Sequence, residues 1–295
     1  MATIYIVIKD MTVINANLSS SYFSADLSQN AYLGFAHHLA RFLDDKIPDE
    51  EDEFGDSPVA RLGKEKCFAI IKHLEFNQGY ASYVGHLNDN NHKALNIPMN
   101  PPEIKGTIKQ TVVIQLQVRD QPKKQQLRDW VRKFLLLNRF SGGDIQHKDD
   151  FQIEIEIAED NEALESALQW EKGWVVKDAT QQLVDKAKQT DYSHAFCDFL
   201  SLFKMTEKSK TKKEDKIRYE RHHKGWFYAS LAGYQLLESL ELSKKRQGAR
   251  YGHKHAYAEP IIGLHKLEYF DRNTIQPLFW YGEFKNNVYH LKQGN

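Results

Sequence analysis

Between Pro122 and Ile157 the chain carries a basic amphipathic helical pattern, a tight Ser141-Gly142-Gly143-Asp144 turn, and a strand alternating Phe151, Ile153, Ile155 and Ile157. Helical spacing places Leu127, Trp130, Val131, Phe134 and Leu135 on one face, and Pro122 sits where a first helical residue is tolerated. The period then changes to two, which reads as a strand after the turn. The stretch joins a phosphate-sized loop to fixed positive charge and supplies no catalytic side-chain set. That combination favours binding over chemistry.

Thr3 to Asn15 alternates apolar and polar residues around Ile4, Ile6, Val7 and Ile8 and reads as a strand. A turn-rich linker, Asn17 to Asn30, precedes a helix over Ala31 to Asp44, whose buried face is Tyr32, Phe35, Ala36, Leu39 and Leu43, with Ser28 or Asn30 as its N-cap. Cys67 to Leu74 and Tyr80 to Leu87 read as strands joined at Asn77-Gln78-Gly79, followed by an irregular loop from His86 to Gly106 and a strand over Thr107 to Arg119. The order through Ile157 is strand, helix, strands, helix, strand. This predicts an α+β fold with a ferredoxin-like core of the kind shared by RNA-recognition domains.

The domain reading is a core over residues 1–158 with an acidic loop insertion, a helical insertion and basic linker over 159–224, and strands over 225–295 that complete the core. Asn161 to Trp170 and Ala179 to Phe203 are predicted helices, Lys204 to Lys224 a charged exposed connection, and Gly225 to Leu237 a buried strand. Phe279-Trp280-Tyr281 is expected to return to the core, because aromatic residues this dense need burial.

The 40 basic and 40 acidic side chains cancel, but they are unevenly placed: Asp44 to Asp56 is almost wholly acidic and three later stretches are basic. Cys67 and Cys197 are the only cysteines and have no metal-ligand spacing, so neither a disulfide framework nor a zinc site is implied, and cytoplasm is the expected compartment. No apolar run is long enough for a bilayer. The readings are no membrane segment, no cofactor and no metal.

Three places suit a phosphate. The Ser141-Gly142-Gly143 turn, behind Arg139, would let backbone amides approach an anion, since glycine has no side chain to block it; the same glycines also read as a helix C-cap. Lys244, Lys245, Arg246, Arg250 and Lys254 lie in a stretch without a carboxylate, near Tyr251, His253 and Tyr257. Cations for phosphates and rings for unpaired bases suit single-stranded nucleic acid, and a mobile surface loop has the same composition. Ser28, Gln29 and Asn30 stand at the positive end of the first helix, where capping alone also explains them.

An enzyme needs positioned acids, bases or metal ligands, and thirteen histidines invite that reading. His37 and His38 are neighbours on a helix and point apart, so they form no i, i+4 metal pair. His222-His223 and His253-Lys254-His255 are candidate ligands or bases, but neither group has a carboxylate nearby in a recognisable motif. No HExxH, Walker loop, dinucleotide fingerprint or nucleophile elbow occurs.

Several segments resemble, in order, the Csy subunit of type I-F CRISPR surveillance complexes, the Cas five f type of the RAMP superfamily. They are the strand ending Asn15-Ala16-Asn17, the helix entry Tyr32-Leu33-Gly34-Phe35-Ala36-His37-His38-Leu39, the strand Phe68 to Phe76, the turn Arg139-Phe140-Ser141-Gly142-Gly143-Asp144-Ile145, the strand from Gly225-Trp226 through Gly233-Tyr234, and the closing Ala258-Glu259-Pro260-Ile261-Ile262-Gly263-Leu264 with Leu278-Phe279-Trp280. Glu159 to Lys224 matches poorly, and the acidic insertion, the Lys-rich excursion and the short length depart from the usual pattern. The resemblance implies a modified RNA-recognition fold without catalytic activity that holds the 5′ part of CRISPR RNA, with target DNA and other Cas subunits as partners. It places Arg139 to Asp144 against RNA, Ser28 to Asn30 at phosphates and Lys244 to Lys254 on guide or target backbone. It leaves open a single end-capping subunit or a repeated backbone subunit. Two other readings remain: an RNA-processing nuclease of the same superfamily with His253 or His255 as general base, and a protein-only scaffold or mimic.

Overall fold

The computed structural model describes residues 2–21, 24–25, 28–44, 64–77, 104–118, 123–147, 153–201, 203–211, 214–239, 244–245 and 254–294. β1 (Ala2–Asn17) is followed by a short ribbon of β2 (Ser19–Ser21) and β3 (Ser24–Ala25), then α1 (Gln29–Asp44), β4 (Lys66–Phe76), β5 (Lys105–Val118) and α2 (Lys124–Leu137). A two-strand hairpin, β6 (Arg139–Phe140) and β7 (Gly143–Ile145), precedes β8 (Glu154–Ala158). These strands lie antiparallel in the order β8-β1-β5-β4. α1 and α2 join through rings: Phe134 meets Phe35 at 5.3 Å and Phe42 at 5.5 Å. Phe134 is fully buried, and truncating such a side chain to alanine costs about 3–5 kcal/mol.

β1 changes partner along its length. Tyr5 to Lys9 pair with β8 and Val13 and Ile14 with β7, while β5 runs along its other edge with register shifts between Ile8 and Met11 and between Val13 and Ala16. Asp10 and Asn15, inside those shifts, have φ of 55° and 58°. Asp and Asn tolerate this left-handed region better than most residues, and each bulge re-aims the strand. Lys72 at 2.9 Å and Lys109 at 3.3 Å anchor Asp10. Burial opposes its ionisation, yet these two cations hold its carboxyl below the ordinary range.

The second half contains α3 (Asn161–Ala167), β9 (Trp174–Asp178), α4 (Thr180–Ala187), α5 (Tyr192–Leu200), a ribbon of β10 (Phe203–Thr211) and β11 (Glu214–Arg221), and β12 (Trp226–Leu236). A small ribbon, β13 (Lys244–Lys245) and β14 (Lys254–His255), precedes β15 (Ala258–Tyr269), β16 (Trp280–Lys285) and β17 (Val288–Gln293). The sheet continues from β4 as β9-β15-β12-β17-β16, and β16 returns to β4 at Trp280 opposite Cys67, so these strands close into a ring. Trp280, 1% exposed, fills its interior and donates from Nε1 to the Val176 carbonyl at 3.3 Å. α4 and α5 cover β12 and β15 from outside through a second small core of Ala179, Leu183, Ala195, Phe199, Phe227 and Leu264.

The antiparallel sheet and packed helices make the fold α+β, as expected. Three expectations need correction. Lys204 to Lys224 is largely the antiparallel β10–β11 ribbon and not an irregular connection: the backbone of Lys204 stands opposite Glu220, that of Glu207 opposite Arg218 and that of Lys210 opposite Asp215. Ala179 to Phe203 is two helices, because Asp191 accepts from the His194 amide at 2.9 Å and caps a new helix start. β9 was not anticipated; its five residues are too short for a clear period, and it puts part of the 159–224 segment inside the sheet. Tyr80 to Leu87, most of the loop after it, most of the acidic run and Pro122 lie outside the described residues. Among the described residues no helix is long and apolar enough to cross a membrane.

His265 is fully buried in β15 beside Trp280 at 4.8 Å and Tyr228 at 6.0 Å, and both ring nitrogens lack a hydrogen-bond partner. Burial pushes its pKa down to about 4, with Asp178 pulling weakly the other way. The unfolded chain takes up this proton near pH 6.5 and the folded protein only near 4, so stability is full above 6.5 and declines as pH falls through that window. Denaturant melts between pH 7 and 4 should show a loss on the order of 3 kcal/mol that His265→Phe abolishes. An unchanged pH profile in the variant contradicts this reading.

Candidate nucleic-acid interface

α2 ends at Leu137, and Asn138 leaves the helix in an extended conformation while its Nδ2 donates to the Phe134 carbonyl at 2.9 Å. The diglycine therefore does not cap the helix. Ser141 (φ 47°) and Gly142 (φ 75°) are the two central residues of the β6–β7 hairpin, with Arg139 opposite Asp144 and Phe140 opposite Gly143. Positive φ at both central positions is the type I′ geometry, whose twist matches the flanking strands. The corner is tied to the end of β1: Asn17 N donates to the Ser141 carbonyl at 2.8 Å and Ser141 Oγ donates to the Asn17 carbonyl at 2.9 Å.

The two glycines have different jobs. Gly142 is exposed and a side chain there would meet open space, whereas Gly143 is buried and an added Cβ would lie 2.6 Å from Ala16 N and Ile14 O. The close approach that only glycine permits is thus made to the β1 backbone, and phosphate has access only to the Ser141-Gly142 side. Arg139 bonds Asp144 at 3.0 Å with both side chains about 70% exposed, a pair that contributes little and yields readily to a stronger anion.

At α1, Ser28 is the cap: its Oγ accepts from Asn30 N at 3.2 Å and its carbonyl from Ala31 N at 2.8 Å. Gln29 is 2% exposed and belongs to the packing, not to an open surface. Asn30 is half-buried and hydrogen-bonds Tyr234 on β12; burial raises the Tyr234 pKa and this bond moderates the rise. One turn on, Tyr32 and Phe35 hold Phe140 at 5.0 and 5.1 Å, so the α1 entry and the hairpin corner share one end of the fold. β12 also ends there: Leu237 N donates to the Tyr257 carbonyl at 2.8 Å, and beyond this bond Lys244 pairs with His255 and Lys245 with Lys254. Lys244, Lys245 and Lys254 therefore sit on a ribbon rooted beside the α1 entry. Arg246, Arg250, Tyr251 and His253 lie outside the described residues.

Sequence reasoning missed a cleft of about 300 Å³ beside the same helix, lined by Asn30, Leu33, Gly34, His37, Glu65, Gly282 and Tyr289. His37 Nδ1 stands 3.5 Å from the buried Glu65 carboxylate. Burial, then the nearby Cys67, Glu65 and Tyr234, raises the Tyr289 pKa. His38 turns the other way, edge-on to Phe134 at 5.1 Å, as expected of adjacent helical residues. The histidine pair that lacked a carboxylate in the sequence has one in space: His223 Nε2 lies 2.9 Å from Asp198 Oδ2, and His222 Nε2 contacts Asp198 Oδ1. A separation of 24 residues hid that contact.

Residues 6–291 match the model of the CRISPR-associated protein family Cas_Csy2. The chain belongs to this family of type I-F CRISPR systems. Membership implies a subunit of the type I-F effector complex, with other Cas subunits as its partners. No curated protein matches the chain.

Replacing Gly143 by alanine should lower stability by about 1–3 kcal/mol, because the obstructing atoms are backbone and cannot swing aside. Gly142→Asn should cost under about 1 kcal/mol, since asparagine tolerates a left-handed φ. Thermal melts of the two variants check this; equal losses contradict the packing described for Gly143.

Proposed function

We propose that this chain is a non-catalytic subunit that holds the backbone of CRISPR RNA, in its 5′ part, and helps assemble the complex that binds target DNA in the cytoplasm. Family membership supplies the setting. The order β8-β1-β5-β4 with two helices supports reading residues 1–158 as a ferredoxin-like core of the RAMP kind, completed by 225–295. The observation that carries the proposal is the meeting of three separate segments, the α1 entry, the Ser141-Gly142 corner and the root of the Lys244–His255 ribbon, at one end of the fold.

The chemistry of each segment differs. The ribbon brings cations for phosphates, the corner brings Arg139, and the α1 entry a positive dipole end. The adjoining cleft offers the Glu65 carboxylate and Tyr289, which suit the amino and imino edge of a base better than a phosphate. Base pairing would read sequence while the protein reads backbone and shape.

Binding of the full chain to CRISPR RNA should weaken steeply with salt, and the double variant Arg246→Ala, Arg250→Ala should reduce affinity and flatten the log-log salt slope by roughly 1.4, about 0.7 for each lost phosphate contact. An unchanged slope removes the ribbon from the interface. Precursor CRISPR RNA incubated with the purified chain should stay intact; cleavage abolished by His253→Ala would make the protein a nuclease. Purification free of nucleic acid, with no affinity for added CRISPR RNA, would instead favour a protein-only scaffold.

A further inference from the structure

We propose that Asp198, His222 and His223 form a binding site for a divalent ion of the zinc class, which staples α5 to the start of β12. This inference is independent of the RNA reading. Among the described residues these three form a group whose ligand atoms, one carboxylate oxygen and two imidazole nitrogens, all lie within 4.8 Å of one another. Around zinc, at about 2.0–2.1 Å from each ligand, neighbouring donor atoms stand about 3.3 Å apart, so small side-chain adjustments complete the geometry. Two imidazoles with one carboxylate suit zinc, cobalt or nickel and disfavour magnesium and calcium, which seek all-oxygen sets.

The ligands are set in place by packing. The His223 ring stacks on Phe199 at 4.7 Å and meets Phe227 at 5.9 Å, and the His222 ring lies 4.4 Å from it. Phe199 and Phe227 belong to the second small core, whose six buried side chains are the described apolar anchor of α4 and α5. A cluster that small stabilises weakly, so a metal bridging α5 and the 222–223 segment would add support to the packing of α5. The three side chains are 22–27% exposed, which leaves a coordination position open to water.

Lys186 is the competitor. Its ammonium also contacts Asp198 Oδ2, so a cation already faces the carboxylate without metal. That ammonium ends a long stem, its side chain 31% exposed and lying across the Phe199 ring, and can swing to solvent when an ion enters. Removing it should favour the metal.

The test uses the chelator-stripped full chain titrated with cobalt(II), followed by its visible d–d bands, and then displaced by zinc. One ion per chain should bind, and zinc should raise the melting temperature. Asp198→Asn and the double variant His222→Ala, His223→Ala should each lose at least about tenfold in affinity, and the melting shift with it, while Lys186→Met binds as tightly as the unaltered chain or more so. In the unaltered chain, one equivalent of zinc should shield His222 and His223, but not the 82%-exposed His194, from diethyl pyrocarbonate. Absence of saturable binding, binding that survives loss of both histidines, weaker binding in Lys186→Met, or unshielded His222 and His223 overturns the proposal. The shielding measurement needs no variant, so it decides the matter even if a substituted chain fails to fold.

Discussion

β1 must satisfy three partners, and the rest of the molecule depends on how it does so. A regular strand of sixteen residues offers one continuous edge on each side. Here the bulges at Asp10 and Asn15 divide the edge opposite β5, so that β8 takes the first stretch and β7 the second. The end of the strand is thereby directed toward two anchors: Asn17 reaches Ser141, and Leu18 N reaches the Ile104 carbonyl at 2.7 Å. Asp10 is kept in its unusual conformation by charge, not by apolar burial, since Lys72 and Lys109 both hold it.

The same strand explains why a corner so far from the α1 entry in sequence stands beside it in space. Phe140, next to the corner, is clamped by Tyr32 and Phe35, and Gly143 lets the hairpin lie flush on β1. On the other side of α1, Asn30 reaches Tyr234 on β12, which belongs to the strand ring. The β8-β1-β5-β4 sheet of the first half and the closed ring of the second are thus fastened by one helix and by β4, which is common to both. A formal charge of zero still leaves one stretch, Ser243 to His255, with five lysines and arginines and no carboxylate.

The elements of the first half could be read from the chain because they are long: α1 and α2 bury the residues that helical spacing selects, while β1 and β5 carry β-branched apolar runs whose middles, Ile4 to Ile8 and Gln110 to Ile114, are buried on both faces. The second half was harder. β9 has five residues, the α4–α5 break rests on a single capping aspartate, and the β10–β11 ribbon lies in a charge-rich stretch without a clear apolar period. The turn at Ser141-Gly142 was legible from its glycines, but Gly143 could not be seen to serve β1, nor Gln29 to be buried, because both depend on contacts distant in sequence. The Asp198, His222 and His223 group was invisible for the same reason.

The family assignment and the convergence of segments lead to one spatial claim, that CRISPR RNA runs across the end of the fold where α1 begins. Ultraviolet crosslinking of the bound complex, with the attached peptides identified by mass spectrometry, tests it most directly. Crosslinks should concentrate in residues 28–30, 139–145 and 244–255. Crosslinks confined to the α4–α5 face or to the β10–β11 ribbon would contradict the account.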